Sequence, residues 1–490
     1  MQRYDLHIYE NWHKSKIANS GIHRREENKG VVEETFTKRY KPLDSFGEQL
    51  EFALKYDGLN LLITSELFEK VKEIEITNYI KSKPNSKYAR RIWFLYEFMT
   101  KRRLPIDDLS QGNYEYLLEP EKYYTGVSSK VKRQRLHYNM LGNDAFCPIV
   151  RRTDIIKEKE DKKLSQQCKK RVAKYSAGLL KRAVSYLYSK ETKSSFELER
   201  IKADATRTER FVEMLKEAEK DDYCEKNKLI EAQNMIVDKR FAARDYRKVQ
   251  NYVGETTFIG KERIHFVCPK PSDIKELMNG LIKANRQMST DATPPVVQAA
   301  VTGYGFVFLH PFEDGNGRIH RFLIHNILSM REFVPKGLVF PVSAVMLNNE
   351  QEYNNSLEAF SKQVVTHLNY IVREDGEMTV KGDTIKWYKF IDMTKQVESL
   401  YQFVDDTIEN ELIKELEYLE RYDRTKRNLK EIIDMPDRKI DLFLRFCSQN
   451  NGRISDKKRK EYFGFLSSSE IRKMETLIKK DYMTEGGNND

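Results

Sequence analysis

The sequence predicts a mainly α-helical protein with room for more than one domain, and three observations support this. The 490 residues suffice for about three domains at roughly 100–200 residues each. Apolar residues make up 39% of the chain and include 27 Tyr and 25 Phe, which is enough to bury folded cores. Apolar side chains also recur at helical spacing along the chain, and strand-like alternation indicates only one short β element.

Helical periodicity can be followed from the first part of the chain to the last. It is clearest in a helix that starts at Pro271 and Ser272. A second run, from about 295 to 309, is apolar on most sides, which is typical of a helix at the centre of a bundle. The apolar residues at helical spacing elsewhere are Leu50, Phe52, Ala53, Tyr56, Ile92, Leu95, Tyr96, Met99, Val397, Leu400, Tyr401, Val404, Ile408, Leu412 and Leu419.

Two charged runs divide the chain. Residues 157–163 (KEKEDKK) lack any apolar side chain, and residues 374–383 combine charge with two glycines. We therefore predict a helical N-terminal domain at 1–160, a central domain at 161–375 and a helical C-terminal domain at 376–490. The N-terminal domain shows no motif that would indicate its role.

The end of the C-terminal domain is predicted to form three short helices within 437–485. A turn lies at 450–455, and a basic run, KKRK, occupies 457–460. A winged-helix or helix-turn-helix module that binds DNA has this pattern, and so does a plain helical appendage with a solvated basic face. Both interpretations remain open.

The composition limits the classes of partner. Lys and Arg exceed Asp and Glu by 86 to 75, a net charge of +11, which permits a phosphate-bearing partner without requiring one. The five cysteines form no CxxC pair, so we expect reduced thiols and neither a disulfide framework nor a thiolate zinc site. No stretch approaches the roughly 18 apolar residues that cross a bilayer. We expect a cytoplasmic protein without a membrane partner.

The strongest functional pattern is the segment 310–321, HPFEDGNGRIHR, which follows the central helix. Pro311 ends that helix, and the glycine turn at 315–317 (GNG) can bring backbone N–H groups together at one point. A new helix begins near Arg318, so these amides lie at a helix N-terminus, where an anion is favoured. Arg318 and Arg321 are three residues apart and can reach the same anion.

Two further side chains in this segment suit a nucleotide phosphate as the anion. Asp314 supplies a hard carboxylate oxygen, and Mg²⁺ usually takes one or two carboxylates and fills its coordination shell from phosphates and water. His310 lies at the end of the central helix. Because imidazole titrates near neutrality, His310 is a candidate base for an incoming hydroxyl.

The segment resembles the signature loop of the Fic family of nucleotidyl transferases, HPFx[D/E]GNGRxxR. The fixed positions of that loop are met here by His310, Pro311, Phe312, Asp314, Gly315, Asn316, Gly317, Arg318 and Arg321. The resemblance implies a Fic-type helical bundle with a short β-hairpin flap over the active site. Residues 246–268 resemble the flap, whose edge strand could pair with a target peptide.

A second resemblance concerns regulation. Residues 194–200 (SSFELER) resemble the family's inhibitory helix, [S/T]xxxE[G/N], with Ser195 and Glu199 at the specified positions and the helix near 186–200. In the family, the glutamate pairs with the second arginine of the loop, which is Arg321 here, and blocks productive seating of the γ-phosphate. Arg200 departs from the pattern, because the family has Gly or Asn at that position.

The resemblance also implies a role for each residue of the loop. His310 would be the general base, and Asp314 would be the Mg²⁺ ligand. The turn at 315–317 would form the anion hole for the α- and β-phosphates, and the two arginines would hold the β- and γ-phosphates. The residues that would bind ATP are Gly315, Asn316, Gly317, Arg318 and Arg321.

The function implied is that of an autoinhibited protein adenylyltransferase, which transfers AMP from ATP to a Ser, Thr or Tyr hydroxyl of a target protein or of itself. Two alternatives remain open. One is the removal of AMP, or transfer from another nucleotide donor, because the loop fixes phosphates and not the base. The other is a nucleotide-sensing regulator whose C-terminal helices bind DNA. A homodimer also remains open.

Overall fold

A computed structural model describes residues 4, 6–19, 21–28, 30–202, 204–257 and 262–483, and these residues are mainly helical, as the sequence predicts. The helices are α1 (Phe46–Tyr56), α2 (Leu61–Lys70), α3 (Glu73–Ser82), α4 (Lys87–Thr100), α5 (Asp154–Asp161), α6 (Leu164–Val172), α7 (Ala177–Glu197), α8 (Ala205–Glu217), α9 (Lys226–Ile236), α10 (Pro271–Thr290), α11 (Pro295–Leu309), α12 (Asn316–Met330), α13 (Val342–Asn348), α14 (Glu350–His367), α15 (Ile385–Lys389), α16 (Thr394–Asp406), α17 (Ile413–Ile432), α18 (Asp437–Ser448), α19 (Asp456–Tyr462) and α20 (Ser468–Ile478). The strands are β1 (His13–Ala18), β2 (Arg24–Asn28), β3 (Val31–Thr37), β4 (Glu115–Tyr116), β5 (Ser129–Val131), β6 (Leu136–Tyr138), β7 (Tyr252–Thr256), β8 (Glu262–Val267), β9 (Tyr370–Val372) and β10 (Met378–Val380). Two π-helical segments, Thr407–Leu412 and Lys479–Met483, follow α16 and α20.

The N-terminal segment combines α1–α4 with two three-stranded sheets, whereas the sequence predicted only helices there. In the first sheet, β3 lies between β1 and β2, parallel to β1 and antiparallel to β2. In the second sheet, β6 lies between β4 and β5. The sequence did not indicate these strands, because β2 (RREEN) is exposed at every position and β4–β6 are too short to show apolar alternation.

The helices around the central loop lie where the sequence predicted them. α10 begins at Pro271, and α11 spans Pro295–Leu309. α11 is buried along nearly its whole length and packs against α10, α12 and α16, as expected of a central helix. α12 begins at Asn316, slightly before the predicted start, because Gly315 turns the chain with a φ of 89° that favours glycine.

A β-hairpin, formed by the antiparallel strands β7 and β8, lies beside the central loop. The flap predicted at 246–268 includes residues 258–261, which lie outside the described residues. β8 packs against α14, and Phe266 contacts the rings of Phe308 and Phe360. A second hairpin, β9 and β10, has no counterpart in the sequence prediction.

The described residues form two apolar cores. The larger core contains buried residues from Ile8 to Leu416 and includes α10–α12. Within it, the N-terminal segment is joined to the chain after α15, since the N–H of Ile149 donates to the carbonyl of Ile391 at 2.9 Å. The smaller core contains residues from Leu429 to Ile478, in the end of α17, in α18 and α20, and in the turns between the helices. The domain boundaries near 160 and 376 stay predictions.

The three short helices predicted near the C-terminus are α18, α19 and α20. Residues 437–483 contain no strand, so the described part of this module has no wing, and residues 484–490 lie outside the description. All five cysteines are buried free thiols, in agreement with the sequence. Within the described ranges, every helix is too short or too polar to cross a membrane.

Candidate active site

The loop between α11 and α12 is held in shape by its own residues. His310 follows α11 in the left-handed conformation, with a φ of 49°. Asn316 closes the loop, because its Nδ2 donates to the carbonyl of Phe312 at 2.8 Å and its Oδ1 accepts from the N–H of Phe312 at 3.0 Å. The side chain of Asn316 therefore builds the loop, and only its backbone N–H is left to face an anion.

The start of α12 has the properties of an anion site. The first N–H groups of a helix have no partner within it, and they form the positive end of the helix dipole. A Cβ added at Gly317 would lie 2.5 Å from Oε1 of Glu199, so the carboxylate of Glu199 would have to shift to make room for it. The carboxylate of Glu199 is therefore the anion that lies against the first turn of α12.

Arg318 and Arg321 are buried and both donate to this carboxylate. Nε of Arg318 lies 2.7 Å from Oε2 of Glu199, and Nη2 of Arg321 lies 2.8 Å from Oε1. The other hydrogen bonds of the two guanidinium groups go to the carbonyl of Ile236, Oδ1 of Asp314, Oγ and the carbonyl of Ser195, and the hydroxyl of Tyr353. Burial alone would lower the pKa of Arg321, but Tyr353 and Glu199 outweigh it and raise that pKa.

Glu199 is positioned by the way in which α7 ends. The N–H of Ile201 donates to the carbonyl of Phe196 at 3.1 Å, and Arg200 adopts a φ of 56°. This is the hydrogen bond and the left-handed residue of a Schellman ending, at which Gly or Asn is usual. The left-handed conformation at this position explains why the family pattern has Gly or Asn there. In this chain Arg200 adopts the same conformation.

The surroundings of His310 favour its neutral form. Its Nδ1 lies 3.1 Å from the carbonyl of Val307, so Nδ1 carries the proton that is donated there and Nε2 is left as the acceptor. Burial, followed by the positive charge of Arg247, lowers the pKa of His310 to about 4. The imidazole is therefore uncharged at neutral pH.

Arg247 fastens the loop to the segment that leads into β7. Its guanidinium donates to three carbonyls, those of His310 at 2.8 Å, Val249 at 2.7 Å and Pro269 at 2.6 Å. Its backbone N–H donates to the carbonyl of Pro311 at 2.8 Å. Because Arg247 is buried, its partners would be left without hydrogen bonds if it were removed, so these bonds tie the base of the hairpin to the loop.

Asp314 is the candidate metal ligand. Its Oδ1 accepts from the N–H of Gly315 at 2.6 Å and from Nη2 of Arg318 at 2.9 Å, and its side chain is 43% exposed. No group of three or more acidic, His or Cys side chains able to hold a metal occurs in the described part of the chain. A single accessible carboxylate fits Mg²⁺ that arrives with a nucleotide, since phosphates and water then supply the other ligands.

The structure brings the predicted site residues together at the start of α12. They are His310, Asp314, Gly315, Asn316, Gly317, Arg318, Arg321, Ser195 and Glu199. Sequence reasoning did not identify Arg247 or Tyr353 as parts of the site. Arg247 lies in the segment compared with the flap, but a buried arginine that binds carbonyls has no motif of its own. Only the fold shows that it contacts the loop.

Comparison with known families gives the class of this site. Residues 223–328 match the family model described as the Fic/DOC family. This stretch contains α9–α11, the described strands of the hairpin, the central loop and most of α12. This part of the chain is a domain of the Fic/DOC family.

Known relatives also match a limited part of the chain. "Protein adenylyltransferase fic-1" of Caenorhabditis briggsae is 35% identical over 96 residues, which cover 20% of this chain and 17% of the relative. The protein of the same name from Caenorhabditis elegans is 32% identical over 148 residues, covering 28% and 26%. "Protein adenylyltransferase Fic" of Nematostella vectensis is 32% identical over 90 residues, covering 18% and 19%. The chain thus matches about a quarter or less of the length of these curated relatives.

Two solved structures resemble larger parts of the chain. A Fic family protein from Desulfovibrio desulfuricans has a TM-score of 0.37 and 16% identity, covering 68% of this chain and 88% of its own. A Fic domain containing signaling protein from Bacteroides thetaiotaomicron has a TM-score of 0.36 and 16% identity, covering 54% and 95%.

Proposed function

We propose that this protein is an autoinhibited protein adenylyltransferase, which transfers AMP from ATP to a hydroxyl side chain of a target protein. The observation that carries the proposal is the geometry at the start of α12. A neutral histidine, an accessible carboxylate, free helix amides and two arginines converge there, and the carboxylate of Glu199 lies where an anion would bind. The names of the relatives agree with this activity.

In the proposed reaction the loop positions the reactants. The acceptor hydroxyl gives its proton to Nε2 of His310, and its oxygen forms a bond to the α-phosphorus of ATP. The bond from the α-phosphorus to the oxygen that bridges to the β-phosphate breaks, and pyrophosphate leaves. The amides of Asn316 and Gly317 stabilise negative charge on the phosphates, because they are oriented before the reaction begins. AMP remains on the acceptor oxygen.

Asp314 would hold Mg²⁺ through its carboxylate, together with oxygens of the bound nucleotide. The ion would neutralise charge on the phosphates, as is usual in phosphoryl-group chemistry. The chain's own contribution is to hold this carboxylate at the start of α12, through the N–H of Gly315 and the guanidinium of Arg318.

Inhibition follows from the same contacts. The proposed partners of the β- and γ-phosphates are Arg318 and Arg321, and both donate to Glu199. A triphosphate can accept hydrogen bonds from these two arginines only after the carboxylate of Glu199 has moved away. The pairing therefore opposes productive binding of ATP. Self-modification, a homodimer and a cytoplasmic location stay predictions, as does the pairing of a target peptide with the hairpin.

The proposal is tested by incubating the protein with Mg²⁺ and ATP labelled on either the α- or the γ-phosphate. The variants are wild type, Glu199→Gly, Glu199→Gly with His310→Ala, and the control Glu197→Gly. Glu197 is an exposed acidic residue in the last turn of α7. We expect the α-label alone to become protein-bound, to increase with Glu199→Gly, and to disappear when His310 is also replaced.

A different result would contradict each part of the proposal. Uptake of the γ-label would contradict AMP transfer. Equal uptake by wild type, Glu199→Gly and Glu197→Gly would show that Glu199 is structural. If no variant takes up label, release of AMP from modified protein and transfer from other nucleotides would be assayed next, and either activity would replace the proposed one.

A further inference from the structure

The C-terminal helices form a compact module with a core of its own. Buried residues of α18, α20, the end of α17 and the turns between the helices make up the smaller core, and α19 itself contributes none. Ring contacts support it, since Phe443 and Phe463 meet edge to face with centroids 5.1 Å apart. A five-residue turn, 463–467, joins α19 to α20. α18 therefore precedes two helices, α19 and α20, that are joined by a short turn. This is the arrangement of a helix-turn-helix.

α20 presents a polar stripe with positive charge. Its buried residues, Ile471, Met474 and Ile478, face the smaller core. The stripe on the opposite side is exposed and consists of Ser468, Ser469, Arg472, Lys473 and Thr476. It contains two cations and three hydroxyls, and no acidic residue. Every side chain of this stripe can therefore bond to a phosphate or to the edge of a base.

The acidic residues of α20 are occupied elsewhere. Glu470 closes a capping box at the start of the helix, where its Oε2 accepts from the N–H of Ser467 at 2.7 Å. Glu475 accepts from the N–H of Ile454 at 2.9 Å, in the turn before α19. Because both carboxylates are bound to backbone N–H groups, the salt bridges of the described residues include neither Arg472 nor Lys473.

α19 extends the positive surface and is fixed to α20. Nη2 of Arg459 donates to Oγ of Ser468 at 2.8 Å, and Nζ of Lys458 lies 4.0 Å from the ring centroid of Phe446. Lys457 and Lys460 are exposed, and neither takes part in a salt bridge with another described residue. Over residues 437–483, Lys and Arg number 12 and Asp and Glu number 7, so the module has a net charge of 12 − 7 = +5.

We propose that this module binds duplex DNA, with α20 in the major groove and α19 across the phosphate backbone. The 11 residues of α20 make a helix about 16 Å long, and the major groove, about 12 Å wide, admits a helix of this kind. Four cations, Lys457, Lys460, Arg472 and Lys473, form no salt bridge with another described residue, and they complement the phosphates. The inference does not depend on AMP transfer, because it uses none of the residues around the central loop.

The test uses the full chain and a fluorescein-labelled 30-bp duplex of mixed sequence, with anisotropy read at several NaCl concentrations. We expect a Kd of about 10 µM or tighter at 50 mM salt, and a log–log salt slope of about −4 for four phosphate contacts. Arg472→Ser with Lys473→Ser should weaken binding at least about tenfold and reduce the slope by about 2. Lys457→Ser with Lys460→Ser should act in the same direction.

The matched control is Lys275→Ser with Lys283→Ser. These two lysines are exposed on α10, and replacing them removes the same amount of positive charge. It should leave duplex binding unchanged, and so should His310→Ala. Circular dichroism and thermal melting confirm that each variant is folded. The proposal is overturned if no duplex binding is detected, if the control weakens it as much as the α20 variant, or if single-stranded DNA or duplex RNA of the same sequence binds as tightly.

Discussion

Arg318 and Arg321 are buried cations whose charge must be balanced inside the protein. Removing one partner of a buried ion pair leaves a charge without compensation, which typically costs about 3–5 kcal/mol. Glu199 supplies that compensation for both guanidinium groups at once. The same requirement explains why a triphosphate could replace Glu199, because it brings negative charge to the position that the carboxylate leaves.

The pKa of His310 leads to a testable prediction. Since burial and Arg247 lower this pKa to about 4, the imidazole should stay neutral from pH 8 down to about 5. NMR of histidine-labelled protein without nucleotide should show no shift of the His310 signal across that range. The signal is identified by its absence in His310→Asn. A titration midpoint at the ordinary value of about 6.5 would contradict the prediction.

The lowered pKa of His310 also determines how this residue makes the free energy of unfolding depend on pH. The pKa of His310 in the folded protein lies below that in the unfolded chain, so the unfolded chain binds the proton more readily. The contribution of His310 to the free energy of unfolding is therefore fully present above about pH 6.5, and it is lost as the pH falls through that value toward 4.

Residues of the site differ in how far the sequence could reveal them. The loop residues were predictable, because nine specified positions within twelve residues form a pattern. Arg247 was not, since its role depends on carbonyls at Val249, Pro269 and His310 that meet only in the fold. Asn316 was expected to contribute to the anion hole, and the sequence did not reveal that its side chain closes the loop by bonding to Phe312.

At the scale of elements, α7 is held in place by a buried glutamate as well as by its ending. Glu191 accepts from the N–H of Ser343 at 2.9 Å and from the hydroxyl of the same residue, at the start of α13. α7 and α13 are also in extensive contact. Glu191 lies two turns before Glu199, the residue proposed to inhibit, so its bonds help to keep the carboxylate of Glu199 on the arginines.

Replacing Glu191 should therefore weaken the proposed inhibition while Glu199 is intact. Glu191→Ala leaves the two donors of Ser343 without an acceptor, which costs about 1–3 kcal/mol, or roughly a 5- to 150-fold shift toward the undocked helix. Uptake of α-labelled AMP by this variant should rise accordingly. Lys193→Ala, an exposed change in the same helix, should leave uptake as in wild type. Equal uptake by both variants would mean that Glu191 does not anchor α7.

Glu191 also makes α7 sensitive to pH. Burial raises its pKa to about 7, above the value of 4.5 in the unfolded chain, so its contribution to stability is complete below pH 4.5 and is lost as the pH rises through 7. Relative to Glu191→Gln, the free energy of unfolding of wild type should fall by up to about 3 kcal/mol between pH 5 and pH 8. Urea denaturation at both pH values measures this difference. A difference that does not change with pH would contradict the assigned pKa.

The elements that the sequence predicted best are those with strong apolar patterns. α10 and α11 were placed because their periodicity and prolines set both position and start. The two small sheets of the N-terminal segment were missed, because their strands are short or exposed and are held by pairing with distant strands. Such pairing leaves little trace in the local sequence.

At the scale of the whole molecule, the site and the C-terminal module belong to different cores. Every residue of the site lies in the range of the larger core, whereas α18–α20 belong to the smaller one. We therefore expect that deleting residues 437–490 from Glu199→Gly leaves uptake of α-label within about twofold, because cooperative units of a protein can be lost separately. Uptake is measured on truncated protein that circular dichroism shows to be folded. Loss of uptake from such protein would mean that the module supports the site.

The joining of the N-terminal segment to the chain near 390 could not be predicted from the sequence. It depends on backbone bonds between Ile149 and the residues Ile391 and Met393, which are more than two hundred positions apart in the chain. Backbone bonds can be made by almost any residue type, so the sequence carries no sign of which segments will pair. The fold class was predictable from composition and periodicity, but this long-range arrangement was not.

The carboxylate of Glu199 can also be viewed as a ligand that the protein carries on its own chain. A tethered ligand competes at a fixed effective concentration, whereas ATP competes at the concentration of the solution. The apparent Kd for ATP is then the intrinsic Kd divided by the fraction of molecules in which α7 has moved away. If that fraction is about 1%, ATP binds about 100-fold more weakly than the exposed site would allow. Under the proposed function, a partner that loosens α7 would therefore have the same effect on the occupancy of the site by ATP as an increase in the concentration of ATP.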